Sequence, residues 1–328
     1  MRSERTGAIP SFVVVGAQKA GTDSLYGYLE DHPQVVMAHP TEPHYFSKVS
    51  GAVDRATYRR SFAERPGARA FGEASTSYMP IPWTADRIRA EAGPGVRLVF
   101  VLRNPVERIY SAFFNMKRAR PLRDARTFDE AIPWQAGTLE HVLREEATRL
   151  ADAVRRRRVD VAPFRDFGEE IDWNYRYVAN SVYRPQVERF LRHFPPQQCL
   201  FLTTDDLRAD WRAAAAALYR FLDVDPAWAA RLSRPQRNRA TVPRSGPIGR
   251  LLSYRAIRDA VRPVLQRGGG HRIKTWVKRI ATTTDLPPLA PDARARLVEL
   301  FVEENDALAD VVGRDLSTWS TPAGVARG

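Results

Sequence analysis

The sequence predicts an α/β protein, with a mostly parallel central sheet and helices on both of its faces. Two observations predict it. Short β-branched-rich apolar runs at 12–16 (FVVVG), 70–73 (AFGE), 97–102 (RLVFVL) and 199–203 (CLFLT) have the unbroken apolar character of strands buried on both sides. Helical patterns separate them at 23–31, 84–93, 105–118, 139–158, 182–194 and 205–222, the alternation of βαβ units. Such a sheet binds ligands beyond the carboxyl ends of its strands, which directs attention to the turns after Val15 and Leu102. The 328 residues suffice for one large domain or two ordinary ones; we read a single domain over 1–328 with a basic, partly amphipathic insertion at about 231–280.

The first strand runs into VVVGAQKAGTDSLYGYL (13–29), where Gly16 and Gly21 frame a tight turn. Thr22 is expected to cap the following helix by accepting a hydrogen bond from its first N–H groups. Outward-pointing backbone N–H groups and the positive end of the helix make such a turn a site for phosphate-like groups, and Lys19 adds a full charge. The residues also fit an ordinary strand-to-helix turn with an exposed lysine. A Walker A loop places Lys and then Ser or Thr directly after its second glycine. Here Thr22 and Asp23 follow Gly21 and the lysine lies inside the loop, which argues against a nucleoside triphosphate–magnesium site.

The strand at 97–102 enters VFVLRNPVERIYSAFFNM (99–116). Pro105 suits a first helical turn, Arg103 stands at the strand end where it can hold a phosphate bidentately or pair with Glu107, and Ser111 offers a hydroxyl from the helix. The helix from Leu139 is expected to turn Leu139, Val142, Leu143, Ala147, Leu150 and Val154 toward the core and to end in a solvated basic run at 155–158. The stretch 205–224 reads as one helix with an acidic start. A last helix is expected over 292–312, between Pro291 and Gly313.

Composition narrows the function classes. The 44% apolar and 27% charged residues are those of a globular protein. No apolar run approaches the roughly 20 residues that cross a bilayer, and residues 1–10 lack a secretory leader, so a cytoplasmic protein is expected. Cys199 is the only cysteine and the six histidines show no HExxH spacing, so no metal site is expected. Between Arg231 and Ile280 stand twelve Arg, two Lys and one acid, 14 − 1 = +13, which equals the 51 − 38 = +13 of the whole chain. The basicity therefore belongs to that segment. Within it Ile273, Trp276, Val277 and Ile280 form a helical face with Lys274, Lys278 and Arg279 off it, a pattern that fits a cap packed on the domain, peripheral contact with an anionic membrane through 245–280, or nucleic acid. Of these, nucleic acid is not expected.

GAQKAGTDSL (16–25) resembles the 5′-phosphosulfate-binding loop, and LRNPVERIYSAF (102–113) the 3′-phosphate-binding motif, of sulfotransferases that use 3′-phosphoadenosine 5′-phosphosulfate (PAPS). TEPHYFSK (41–48), SVYRPQVERFLRHFPPQQCLFLTTDDL (181–207) and ENDALADVVGRDLSTW (304–319) resemble further blocks of the bacterial and heparan-sulfate-type branch, in the expected order. The resemblance implies a P-loop-like three-layer fold with a central parallel sheet flanked by helices. Carried over by position, it implies that Lys19, Gly21, Thr22 and Ser24 hold the 5′-phosphosulfate and Arg103 and Ser111 the 3′-phosphate. Asp23 departs from the usual Thr or Ser and is placed at the site as a helix-start acid; Ala74 stands where many relatives carry Lys. Tyr183 is placed either on the cofactor's adenosine side or in the core, and Arg244, or alternatively Arg237 or Arg239, in a late loop that closes over the 3′-phosphate.

The implied chemistry is transfer of a sulfuryl group from PAPS to a hydroxyl of a small-molecule, glycan or lipid-linked acceptor, without a metal. Lys19 is the candidate to stabilise charge on the leaving oxygen. The acceptor's proton needs a base: Glu42 matches the acid of the heparan-sulfate branch, and His44, two residues on in an extended segment, is the alternative. Glu73 is a third carboxylate, placed to orient the base or to pair with Lys19. The rival readings are a P-loop-type kinase using ATP and a non-enzymatic protein that binds membrane or nucleic acid through the basic segment.

Overall fold

The computed structural model describes residues 10–49, 52–119, 123–233, 242–243, 282–283 and 287–321. Five strands, β1 (Phe12–Gly16), β2 (Val35–Met37), β3 (Ala70–Ala74), β4 (Arg97–Leu102) and β5 (Cys199–Thr203), form one sheet in the order β2-β3-β1-β4-β5. Every pairing in it is parallel. The four strands expected from apolar runs are all present; β2 was missed because three residues, Val-Val-Met, are too few to carry a pattern. β1 lies in the middle and all five of its residues are buried, so the turn after Gly16 emerges at the centre of the carboxyl edge, between the ends of β3 and β4.

The helices are α1 (Thr22–Asp31), α2 (Arg55–Arg60), α3 (Thr84–Ala92), α4 (Pro105–Ala119), α5 (Phe128–Ala131), α6 (Leu139–Arg155), α7 (Arg184–Leu191), α8 (Thr204–Ala209), α9 (Trp211–Phe221) and α10 (Pro291–Val312). Pro105 opens α4 as expected, behind an Asn104 side chain that accepts from the N–H of Val106 at 3.0 Å. Gly313 closes α10 in the left-handed region, φ 63°.

Two expectations are corrected. The single helix over 205–222 is broken at Asp210, whose backbone is extended (φ −148°, ψ 90°) and whose carboxylate caps α9 through the N–H groups of Arg212 and Ala213. The buried stripe of α6 is Val142, Glu146, Leu150 and Ala153, while Ala147 is exposed and Leu139, Leu143 and Val154 are half-buried. That stripe centres on an acid because the Glu146 carboxylate accepts the N–H groups of Val178 (2.7 Å) and Ala179 (3.0 Å), which no neighbouring strand or helix takes up.

One apolar cluster packs the sheet against α1, α3, α7 and α9; a second joins α4 to α6 and α10 through Val106, Ile109, Phe113, Leu150, Leu297 and Phe301. The inner face of α4 is thereby fixed and its other face turns toward the carboxyl edge of the sheet. Among the described residues no helix is long and apolar enough to cross a membrane. Most of the basic insertion, with Arg237, Arg239, Arg244 and the 245–280 stretch, lies outside the described residues; of it the structure describes 231–233 and the strand Val242–Pro243, which pairs antiparallel with Thr282–Thr283.

Candidate active site

The turn after β1 is built on two residues that only glycine fills without strain. Gly16 has φ 147°, and a Cβ there would approach the Cβ of Met79 to 3.0 Å; Gly21 has φ 107° and would meet Leu207 at 3.0 Å. Gly21 is also the cap of α1, which corrects the expectation for Thr22: that residue is the first helical one, is buried, and no side chain caps the helix. Asp23 is exposed in the first helical turn, and Ser24 is half-buried with its N–H bonded to the Gly21 carbonyl at 3.0 Å. Lys19 sits between the glycines with φ 70°, a left-handed conformation unusual for lysine.

Three consecutive carbonyls of this turn are held from outside. The Gln18 carbonyl accepts from Arg108 Nε (3.2 Å), the Lys19 carbonyl from an Arg103 terminal nitrogen (3.1 Å) and the Ala20 carbonyl from Thr204 Oγ1 (2.7 Å). In a trans peptide the C=O and the next residue's N–H point in opposite directions. Engaging these carbonyls from α4, the end of β4 and the start of α8 therefore sets the direction of the N–H groups that follow them. Arg108 is 1% exposed and also donates to the Tyr177 carbonyl and Ser181, so its grip is fixed by the core.

Arg103 stands at the end of β4 as expected, and its partner in this structure is Glu107, at 2.9 Å from Nε and 2.8 Å from the terminal nitrogen. Burial works to raise the Glu107 pKa, but Arg103 and Arg208 together hold it below the ordinary glutamate value. Glu107, Ser111 and Asn115 recur every four residues and share one face of α4. Asn115 accepts from Lys19 Nζ at 3.2 Å, so Ser111 lies between the Arg103–Glu107 pair and the Lys19–Asn115 contact. Tyr183 is packed in the core, 1% exposed, and its hydroxyl donates to the Arg103 carbonyl at 3.0 Å.

The second half of the site is the loop carrying Glu42 and His44, laid over the segment that follows β3. Both residues again have left-handed backbones, φ 57° and 56°. Glu42 Oε1 accepts from the N–H (3.1 Å) and hydroxyl (2.6 Å) of Thr76, and its Oε2 lies 4.0 Å from His44 Nε2. The His44 N–H donates to Ser75 Oγ at 3.0 Å, and its Nδ1 meets Ser77 Oγ at 2.7 Å. The ring packs edge-on against Phe167 and Trp173. Burial lowers the His44 pKa and Lys48 adds to this, while Glu42 opposes it; the imidazole is held neutral. Glu73, fully buried, accepts hydroxyl hydrogen bonds from Tyr58 (2.8 Å) and Tyr78 (2.7 Å) on one oxygen and from Ser75 (2.7 Å) on the other.

The two halves adjoin. Met79 donates its N–H to the Val15 carbonyl, and the Thr76 carbonyl lies 3.7 Å from where a Gly16 Cβ would stand, so the residue that grips Glu42 sits over the start of the Lys19 turn.

Residues 10–235 match the sulfotransferase domain family. The chain belongs to the sulfotransferase family. It is 23% identical over 267 residues to the membrane-associated sulfotransferase kil1 of Dictyostelium discoideum, covering 66% of this chain and 56% of that one. It is 26% identical over 216 residues to the human heparan sulfate glucosamine 3-O-sulfotransferase 3B1, covering 66% and 46%. The chain thus spans about half the length of these curated relatives. A crystal structure of a sulfotransferase from Alicyclobacillus acidocaldarius shares the fold, with a TM-score of 0.62 at 24% identity over 95% of this chain and 99% of that one.

Several residues of this candidate site give no direct signal in the sequence reading: Gln18, Arg108, Asn115 and Thr204 around the turn, and Ser75, Thr76 and Ser77 under the loop. Asn115 was within reach, since it lies four residues from Ser111 on the same helical face. Thr204 and Ser75 gave no local signal, because their partners are 184 and 31 residues away.

Proposed function

We propose that the protein transfers a sulfuryl group from PAPS to a hydroxyl of a carbohydrate, glycolipid or specialised metabolite. The observation that carries this reading is the turn itself: a lysine in a left-handed conformation between two glycines, with three successive carbonyls taken up by Arg108, Arg103 and Thr204. A turn organised this way suits the phosphosulfate end of the donor, with Gly21, Thr22 and Ser24 at the uncapped start of α1. The guanidinium of Arg103 has five N–H groups. Three are engaged by Glu107 and the Lys19 carbonyl, leaving two for the 3′-phosphate beside the Ser111 hydroxyl.

PAPS supplies an activated sulfuryl group on a phosphate leaving group. Lys19 meets the negative charge that grows on the leaving oxygen. Glu42, held on one oxygen by Thr76, offers the other to the acceptor's hydroxyl proton, and the neutral His44 flanks it. The names of the human relative and of a Caenorhabditis briggsae bifunctional heparan sulfate N-deacetylase/N-sulfotransferase, 23% identical over 222 residues, support a glycan acceptor. A cytoplasmic location with peripheral contact to an anionic membrane through 245–280 belongs to the same reading, supported by the amphipathic basic pattern of that stretch.

The test is calorimetric titration with 3′-phosphoadenosine 5′-phosphate, beside ATP with magnesium, on the intact protein and on Arg103→Ala. Tight metal-independent binding of the first ligand, weakened at least about tenfold in the variant, is expected from the loss of charge-assisted hydrogen bonds. Binding of ATP alone would overturn PAPS as the donor, and binding of neither would return attention to the basic segment.

A further inference from the structure

Behind the Glu42–His44 loop lies a buried group that the proposed chemistry does not use. Glu73 is at the end of β3 with no exposed surface. Its surroundings come from three elements: Tyr58 from α2, Ser75 and Tyr78 from the segment after β3, and the loop of Glu42 and His44 itself. Tyr45 of that loop stacks on Tyr58 with ring centres 4.1 Å apart.

Ser75 has a single hydroxyl proton, and it is given to Glu73. That choice turns the oxygen's lone pairs toward the loop, where they accept the N–H of His44. His44 is one of two loop residues with positive φ, a conformation that persists in a non-glycine residue only where the surroundings impose it. Glu73, Ser75 and the His44 backbone thus form a chain from the core to the strained point of the loop.

We propose that Glu73 is a positioning residue, which through the Ser75 hydroxyl holds the backbone of His44 and so keeps the Glu42–His44 pair set against the Lys19 turn. This rests on the assignment of Glu42 and His44 to proton removal. Burial raises the Glu73 pKa to about 7, and either form of the carboxyl keeps an oxygen that accepts the Ser75 hydroxyl. The bond therefore needs a polar group at position 73, not a charge.

The experiment follows the ring resonance of His44, assigned by its loss in His44→Gln, through a pH titration of the intact protein, Ser75→Ala, Glu73→Met and Glu73→Gln. The kcat and the affinity for 3′-phosphoadenosine 5′-phosphate are measured on the same proteins. In Ser75→Ala and Glu73→Met the loop loosens and water reaches the ring, so the His44 midpoint rises toward the ordinary histidine value. The kcat falls about 10- to 100-fold, the scale of a misplaced reactive group, with donor affinity within about twofold. Glu73→Gln restores both readouts toward those of the intact protein.

An unchanged His44 midpoint in Ser75→Ala overturns the proposal, whether or not Glu73→Met folds. So does a loss of donor affinity in step with kcat, which would make Glu73 a support of the turn instead. An intact protein without transferase activity, whose His44 midpoint nevertheless moves in Ser75→Ala, refutes the sulfuryl-transfer reading and leaves the bracing demonstrated.

Discussion

The Lys19 turn and the Glu42–His44 loop are neighbours at the carboxyl edge of one sheet, and both force non-glycine residues into left-handed backbones. They are held by opposite chemistry. Two of the turn's three clamps are guanidinium groups, Arg103 and Arg108, while the loop is clamped by the hydroxyls of Ser75, Thr76 and Ser77 with a buried carboxyl behind them. The difference fits the roles proposed for the two halves. An anion site gains from every cation near it, but a cation against Glu42 would stabilise its carboxylate and weaken it as a base. Neutral clamps allow a base to be positioned without being quenched.

The strongest way to break this comparison is Glu42→Gln. It should lower turnover by roughly 10²–10⁴-fold, the range for losing a general base, while affinity for 3′-phosphoadenosine 5′-phosphate stays near that of the intact protein. Retained activity there, with loss in His44→Ala, would move the base to the imidazole. Lys19→Ala tests the cationic half. Turnover should fall at least about 100-fold, with a smaller loss of donor binding. A change of only a few-fold would remove Lys19 from the transfer step.

The neutral clamp also has a pH signature. Burial raises Glu73 to about 7 from an ordinary 4.5, partly offset by its three hydroxyl partners, and raises Glu146 to about 7 in spite of its two backbone N–H bonds. Each carboxyl binds its proton more tightly in the folded state than in the unfolded one. The stability these two groups contribute is therefore fullest below about pH 4.5, declines as pH rises to about 7, and changes no further above that, by roughly 3 kcal/mol per group. Denaturant unfolding at several pH values should show the intact protein losing stability relative to Glu73→Gln as pH rises from about 4.5 to about 7. The smallest effect is expected at Ser111→Ala, where losing one hydroxyl should weaken 3′-phosphoadenosine 5′-phosphate binding by about 2- to 10-fold; a normal affinity would take Ser111 out of the site.

Much of the architecture was legible because it is written in local pattern. Four strands announced themselves as apolar runs, and Pro105 and Gly313 marked helix ends. The errors came where a local signal had two meanings. Asp210 reads as one more polar residue of a continuous helix, yet its carboxylate caps a new one. Glu146 reads as the solvent face of α6, yet it is buried because the N–H groups of Val178 and Ala179 need an acceptor. Thr22 reads as a cap because threonine is a common one, but Gly21 at φ 107° takes that position.

The sequence by itself determined the order of four of the five strands and of the longer helices, the glycine-framed turn with its lysine, and the residue types available for anion binding and proton removal, since each depends on residues close together in the chain. The tertiary structure alone decided which of them meet. It brought Thr204 to the turn, seated Tyr183 under Arg103, and set Glu73 and Ser75 behind His44. The physical reason is that parallel strands joined by helical crossovers become neighbours in an order the chain does not spell out, and the hydrogen bonds that hold a site run across that order.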